Sequence, residues 1–191
     1  VYNDVNDMLV FAGNHDVGRI GDVLNGDVDR MRLALTMVAT LRGIPQVFYG
    51  DEFMMRSVNR EDPWGHGGLR ADFTQGLNNM TEESRDLQEY CRKLFQWRKT
   101  ADVIHNGRTL HFLTRDNTYA YFRYNDDRVV FVYLNNSNEP KKIPWDYYSE
   151  ITENLGTGVD VISGDLVTIS DQTVVPAVSA LIVEYEIVNN R

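Results

Sequence analysis

Three consecutive polar residues, Asn14, His15 and Asp16, directly follow a short apolar run. The run, Met8 to Phe11, has the composition of a buried β-strand, and the small residues after it indicate that the strand ends there. The C-terminal ends of parallel strands are where α/β enzymes place their reactive side chains. A lone histidine is more often a packed or capping residue, so the surrounding elements must decide between these two interpretations.

A helix and a second apolar strand are predicted next. Residues 30–41 carry an apolar stripe with helical spacing, formed by Met31, Leu35, Val38 and Leu41. Asp27 is the expected N-cap, and Gly43 is the expected C-terminal stop. The apolar run 44–49 predicts a strand covered on both faces. Strand, helix and strand in this order form a right-handed βαβ unit, which brings the ends of both strands to one edge.

The residues after the second strand predict a long functional loop and then another helix. Residues 53–80 show no period, and a loop of that length is unusual unless it is functional. It leaves the same edge of the sheet as Asp16 does. Thr81 is the expected N-cap of a helix that reaches about Thr100, and Cys91 is expected to be a small buried residue of its apolar stripe.

From residue 105 onwards the period changes to two, which predicts short antiparallel strands separated by turns. Such strands favour a β-sandwich. They are expected at 111–113, 119–124, 129–134, 160–162, 166–169 and 180–185. We therefore predict an α/β domain over residues 1–104 and an all-β domain over residues 105–191.

Composition excludes several classes of protein. The 191 residues are 42% hydrophobic and 25% charged, as in globular chains, and the net charge of −9 argues against nucleic-acid binding. No apolar run is long enough to span a bilayer. A single cysteine excludes an internal disulfide. Because the chain opens without an initiator Met or a leader-like segment, we expect it to be a piece of a longer protein.

Two motifs resemble the signatures of the α-amylase family, glycoside hydrolase family 13. Phe11, Asn14, His15 and Asp16 resemble the Phe-x-x-Asn-His-Asp signature of its seventh barrel strand. The second motif, Gly-x-Pro followed by Gly-x-Glu, is present as Gly43, Pro45, Gly50 and Glu52. The resemblance implies the last two β/α units of a (β/α)8 (TIM) barrel, followed by the antiparallel β-sandwich called domain C. It is strongest to the neopullulanase, cyclomaltodextrinase and maltogenic amylase group.

The resemblance implies retaining cleavage of α-1,4-glucosidic bonds in maltooligosaccharides, pullulan or cyclodextrins. Asp16 would be the third carboxylate, which stabilises the transition state, and His15 and Asn14 would bind the substrate. The nucleophilic Asp and the acid Glu of the family belong to earlier strands, so the fragment alone is expected to be inactive. The resemblance leaves open α-1,4 against α-1,6 specificity, and hydrolysis against transglycosylation.

The second motif implies an architectural role. Gly43 and Pro45 would set the entry to the second strand, Gly50 would permit the turn at its end, and Glu52 would anchor the loop through an ion pair. Further on, Arg70, followed by Asp72 and Phe73, resembles a sugar-binding Arg-x-Asp-Phe pattern. The acidic partner in that pattern has no direct match here, so His66 and Asp62 are both candidates. Trp64 would either stack on a sugar or anchor the loop.

The expected partners are an α-glucan and the N-terminal remainder of the barrel. No cofactor is expected: calcium in the full-length enzyme stays open, but the acidic residues lack the EF-hand spacing and are explained as turn formers. A homodimer also stays open. The sequence leaves localisation unknown, and periplasmic export would be compatible with the resemblance through a signal upstream of Val1. The rival hypothesis is a non-catalytic carbohydrate-binding β-module with part of a scaffold attached.

Overall fold

A computed structural model describes residues 3–58, 66–170 and 172–187. The chain divides into two compact units, the first formed by residues 1–39 and 43–95 and the second by residues 40–42 and 96–191. This division lies earlier than the change from helical to alternating pattern near residue 105. A domain boundary at 104/105 therefore stays a prediction from the sequence.

The first unit begins with two parallel strands. After a 3-10 turn at Val5–Asp7, strand β1 (Leu9–Phe11) pairs with β2 (Ile44–Gln46), so that Val10 lies opposite Pro45. The connection contains two helices, α1 (Ile20–Val23) and α2 (Val28–Thr40). Helix α2 confirms the periodic helix, and the Arg30 amide donates to Asp27 Oδ1 at 2.9 Å, as expected of the N-cap.

The expectations that the first strand is buried and that the second is covered on both faces are wrong for the described residues. Leu9 and Phe11 of β1 and Ile44 of β2 are about half exposed. The physical reason is that, in the described part of the chain, each strand pairs only with the other. The core of this unit lies between helices and loops instead, and one of its buried clusters contains Met31, Leu35, Met54, Leu87 and Cys91.

The segment after β2 is more helical than its sequence predicts. A 3-10 turn at Asp51–Phe53 is followed by helices α3 (His66–Leu69), α4 (Phe73–Asn78) and α5 (Glu82–Arg98). Asp72 is the N-cap of α4, since its carboxylate accepts from the Gln75 amide, but the helix is too short to show a helical period. Helix α5 confirms the second predicted helix, with Thr81 accepting from the Ser84 amide.

The second unit contains the short helix α6 (Asp102–Asn106), and the strands that follow it are antiparallel. Its strands are β3 (Arg108–His111), β4 (Thr118–Tyr124), β5 (Arg128–Asn135), β6 (Lys141–Lys142), β7 (Thr157–Asp160), β8 (Leu166–Thr168), β9 (Val174–Val175) and β10 (Ser179–Glu186). Among the described residues, the main sheet has six strands in the order β3-β4-β5-β10-β7-β8. A smaller sheet pairs β6 with β9.

The core of the second unit lies between the two sheets, as the predicted sandwich requires. Phe122, Phe131 and Tyr133 of the main sheet pack with residues of the second layer, which contains a 3-10 helix (Trp145–Tyr148) and helix α7 (Ser149–Thr152). Phe131 and Trp145 have ring centroids 4.8 Å apart. The fold class predicted from the sequence, α/β followed by an antiparallel β-sandwich, is confirmed.

Within the described residues, the helices are too short or too polar for any of them to cross a membrane.

Candidate active-site residues

Asp16 lies in the tight turn that leaves β1. The Asn14 side-chain oxygen accepts hydrogen bonds from the backbone amides of Asp16, at 2.8 Å, and Val17, at 3.2 Å. Asn14 thereby fixes the turn, as asparagine does in an Asx turn, and the Asp16 carboxylate remains about half exposed. The observed role of the Asn14 oxygen is thus to orient the chain that carries Asp16.

Nitrogen atoms of two side chains flank the Asp16 carboxylate, one beside each oxygen. His15 Nε2 lies 3.2 Å from Oδ2, and Arg70 Nη2 lies 3.3 Å from Oδ1. His15 comes from the same turn, whereas Arg70 lies 54 positions later, between α3 and α4. The fold therefore brings three of the predicted site residues together, and the resulting cluster can both donate and accept hydrogen bonds.

The structure does not test the remaining predicted substrate-binding residues, His66, Asp62 and Trp64. His66 is the first residue of α3, and the structure describes its backbone but not its side chain. Asp62 and Trp64 lie outside the described residues. The choice between His66 and Asp62 as the companion of Arg70 therefore stays a prediction, as does the stacking role of Trp64.

The two glycines of the second motif occupy positions where a side chain would collide. Gly43 has φ +122°, and a Cβ there would lie 2.5 Å from the Met8 carbonyl oxygen. Gly50 has φ +88°, and its Cβ would lie 2.6 Å from the Met55 side chain. Such left-handed backbone is readily adopted only by glycine. Pro45 lies inside β2, opposite Val10.

The ion pair expected of Glu52 is formed by its neighbour instead. In the described residues Glu52 makes no ion pair, whereas Asp51 Oδ1 lies 3.4 Å from Arg19 Nη1. The reason is geometric: Gly50 begins a 3-10 turn that buries the Asp51 side chain. Burial raises the pKa of Asp51 to about 7, and the Arg19 guanidinium offsets only part of this rise.

Arg19 and Tyr49 are the residues that the sequence did not single out. Arg19 is fully buried, and its guanidinium lies over the rings of Phe48 and Tyr49. Its Nε donates to the Leu69 carbonyl oxygen at 2.9 Å and its Nη1 to that of Tyr49 at 2.8 Å. The sequence shows that Arg19 follows Asp16 by three positions, but only the fold shows that the Arg19 side chain points inward.

Across the described residues, three or more His, Cys, Asp and Glu side chains nowhere come together as a metal site would require. Of the acidic residues that the sequence offers as calcium ligands or turn formers, namely Asp22, Asp27, Asp126 and Asp127, the first three have protein partners; Asp126 Oδ1 lies 3.4 Å from Arg108 Nη2. Asp22 accepts from Arg56 Nε and from the Ser57 amide, which lowers its pKa despite burial. Asp27 caps α2.

Comparisons with known proteins agree with both units. The family described as alpha amylase, catalytic domain, matches residues 2–138, and the cyclo-malto-dextrinase C-terminal domain matches residues 109–184. The maltogenic alpha-amylase of Bacillus acidopullulyticus is 27% identical over 150 residues, which cover 75% of this chain and 24% of that protein.

A second curated relative gives a similar result. The cyclomaltodextrinase of Geobacillus thermopakistaniensis is 29% identical over 135 residues, covering 69% of this chain and 21% of that protein. The crystal structure of the α-amylase from Geobacillus thermoleovorans in complex with acarbose has a TM-score of 0.74 at 22% identity, covering 96% of this chain and 40% of that chain. The chain thus spans about a quarter of the length of the curated relatives it matches.

Proposed function

Because the chain belongs to the α-amylase family, as its two motifs predicted, we propose that it forms the C-terminal part of a glycoside hydrolase that cleaves α-glucosidic bonds. The observation that carries this proposal is the Asp16 carboxylate with His15 on one oxygen and Arg70 on the other. This arrangement suits a site that binds a sugar through its hydroxyl groups.

Asp16 is proposed to stabilise the transition state. Cleavage of a glycosidic bond develops positive charge near the anomeric carbon, and hydrogen bonds to the neighbouring 2-hydroxyl strengthen as that charge grows. The Asp16 carboxylate would accept from such hydroxyls, whereas His15 and Arg70 would donate to them. Arg70 would also orient the carboxylate, since a guanidinium holds a carboxylate in a defined geometry.

The nucleophile and the general acid are proposed to come from the part of the enzyme that precedes this chain. A retaining mechanism needs two carboxylates about 5 Å apart on either side of the bond, in addition to Asp16. The half-exposed apolar residues of β1 and β2 support a barrel in which further strands cover them. The 191-residue chain alone is therefore expected not to hydrolyse α-glucans.

The proposed substrates are maltooligosaccharides, pullulan or cyclodextrins. Support comes from the names of the relatives, a maltogenic amylase and a cyclomaltodextrinase, and from the matched cyclo-malto-dextrinase C-terminal domain.

The decisive experiment replaces Asp16 by Asn in the complete protein that contains this chain. Loss of a transition-state hydrogen-bond partner should lower kcat on maltooligosaccharides by about a thousandfold, with glucan binding largely retained. Asp126→Asn is a matched control, because Asp126 is 94% exposed and lies in the second unit. Unchanged turnover in Asp16→Asn would contradict the proposed site and favour the non-catalytic carbohydrate-binding module.

A further inference from the structure

Arg70 stands in a short connection whose backbone is held on both sides. Its neighbours Leu69 and Ala71 are 8% and 6% exposed, whereas the Arg70 side chain is 50% exposed. The Leu69 carbonyl oxygen accepts from Arg19 Nε at 2.9 Å, and the Ala71 carbonyl oxygen accepts from the Tyr49 hydroxyl at 2.9 Å. Two side chains therefore hold the carbonyl groups of the residues on either side of Arg70.

These two side chains are also linked to each other. Arg19 Nη1 donates to the Tyr49 carbonyl oxygen at 2.8 Å, and the guanidinium carbon of Arg19 lies 4.8 Å from the centre of the Tyr49 ring. Asp51 supplies the carboxylate that partly balances the buried charge of Arg19. Hydrogen bonds at Nε and Nη1 offset part of the cost of burying the guanidinium, whereas the buried Nη2 has no hydrogen-bond partner among the described residues. The contacts at Nε and Nη1 and the two rings fix the orientation of the Arg19 side chain.

The same contacts join three separate segments of the site. Arg19 lies three residues after Asp16, Tyr49 lies just beyond the end of β2, and Arg70 belongs to the later connection. Arg19 and Tyr49 can act through this linkage without contacting a substrate. What it sets is where the Arg70 guanidinium stands relative to the Asp16 carboxylate.

We propose that Arg19 and Tyr49 are positioning residues that place Arg70 for sugar binding at Asp16. The inference rests on the proposed function, because it assigns to Arg70 a role in turnover. It predicts that weakening either hydrogen bond to the backbone beside Arg70 lowers kcat/KM only while the Arg70 side chain is present. A purely structural contribution would instead lower activity whether or not that side chain is there.

The test is a double-mutant cycle in the complete protein, with Tyr49→Phe, Arg70→Ala and the double variant assayed on maltotriose. Tyr49→Phe removes one hydroxyl and should lower kcat/KM by about tenfold, since a displacement on the order of 1 Å can cost about a hundredfold. In the Arg70→Ala background the same change should have almost no effect. Additive losses in the double variant would overturn the inference while leaving the proposed function intact.

A second cycle uses Arg19→Lys, which keeps the positive charge but cannot reproduce the planar set of donors. Its matched control is Arg123→Lys in the second unit: Arg123 is also fully buried, and it donates to the Ile104 and Gly107 carbonyl oxygens. Tyr121→Phe is the matched control for Tyr49→Phe, because Tyr121 is buried and its hydroxyl forms a hydrogen bond with Thr40 Oγ1 at 2.5 Å. The controls should lower thermal stability but leave kcat/KM within about twofold.

The outcomes separate the two proposals. Loss of kcat/KM in Tyr49→Phe and Arg19→Lys that disappears when Arg70 is already Ala, with unchanged controls, supports the positioning role. Equal losses in the controls would show a general stability effect and overturn it. If Arg70→Ala itself leaves kcat/KM unchanged, Arg70 has no role in turnover and the inference fails, whereas the function assigned to Asp16 is judged separately by Asp16→Asn.

Discussion

Strand β5 of the second unit is buried from Val129 to Asn135, whereas strand β1 of the first unit leaves Leu9 and Phe11 about half exposed. Both strands are rich in apolar residues. The difference is that β5 lies between two antiparallel neighbours and beneath a second layer, whereas β1 has a single partner within the described residues. Apolar composition marks a strand for burial, but the number of packing partners decides whether burial occurs.

The largest expected effect contrasts one phenylalanine from each strand. In the 191-residue chain, Phe131→Ala should lower the free energy of unfolding by about 4 kcal/mol, because it leaves a cavity in a closed core. Phe11→Ala should lower it by less than about 1 kcal/mol, because Phe11 is 45% exposed. Urea unfolding followed by tryptophan fluorescence measures both, and Trp145 reports directly on the Phe131 site.

The same two substitutions, made in the complete protein, test whether β1 is buried there as β5 is. If further barrel strands cover β1 there, Phe11→Ala should become several times more costly, whereas the cost of Phe131→Ala should stay the same. Equal costs for the two substitutions in the 191-residue chain would show that the first unit already buries β1, and the comparison would be wrong.

A smaller effect is expected from pH. Burial raises the pKa of Asp51 to about 7 from an ordinary value of 3.8, so the folded state favours the protonated carboxyl. Its stabilising contribution is fully present below pH 3.8 and is lost as the pH rises through about 7. The decline should be on the order of 4 kcal/mol, since the pKa differs by about three units between the folded and unfolded states and each unit corresponds to about 1.4 kcal/mol.

Asp51→Asn is the control for this prediction, because the amide cannot titrate. Urea unfolding from about pH 4 to about pH 8 should show the decline in the wild type and a flatter profile in the variant. If the free energy of unfolding instead rises with pH over this interval in the wild type but not in Asp51→Asn, the ionised pair of Asp51 with Arg19 dominates in the folded state. The predicted direction of the pH dependence would then be wrong.

The smallest effect concerns the helix that joins β1 to β2. Asp27→Ala removes the acceptor for the Arg30 amide and should destabilise α2 by about 1 kcal/mol. Hydrogen exchange of the first-turn amides of α2 should then be about fivefold faster, whereas amides in the centre of β5 should be unaffected. Asp27→Asn, which keeps an acceptor oxygen, should restore most of the protection.

Local patterns predicted the elements that are long or periodic. Helices α2 and α5, their caps at Asp27 and Thr81, and strands β4, β5, β8 and β10 follow from spacing alone, because a repeat of about 3.6 or 2 residues is set by local geometry. The strands predicted at 111–113 and 160–162 were misplaced, since they share only one residue each with β3 and β7. Helices α3 and α4 were missed because each is too short to complete a periodic stripe. The ion pair was placed on Glu52 rather than on Asp51 because nothing in the sequence shows which way a turn directs its two carboxylates.

What the sequence by itself determined is the family, since the residues of each motif, Asn14 to Asp16 in the first and Gly43 to Glu52 in the second, lie close together in the chain. What only the tertiary structure decided is which distant groups meet there. Arg70 reaches Asp16 across 54 positions, and Arg19 and Tyr49 hold the backbone beside it from two other segments. Such contacts depend on how strands and loops pack in space, and the local spacing of residues does not determine that packing.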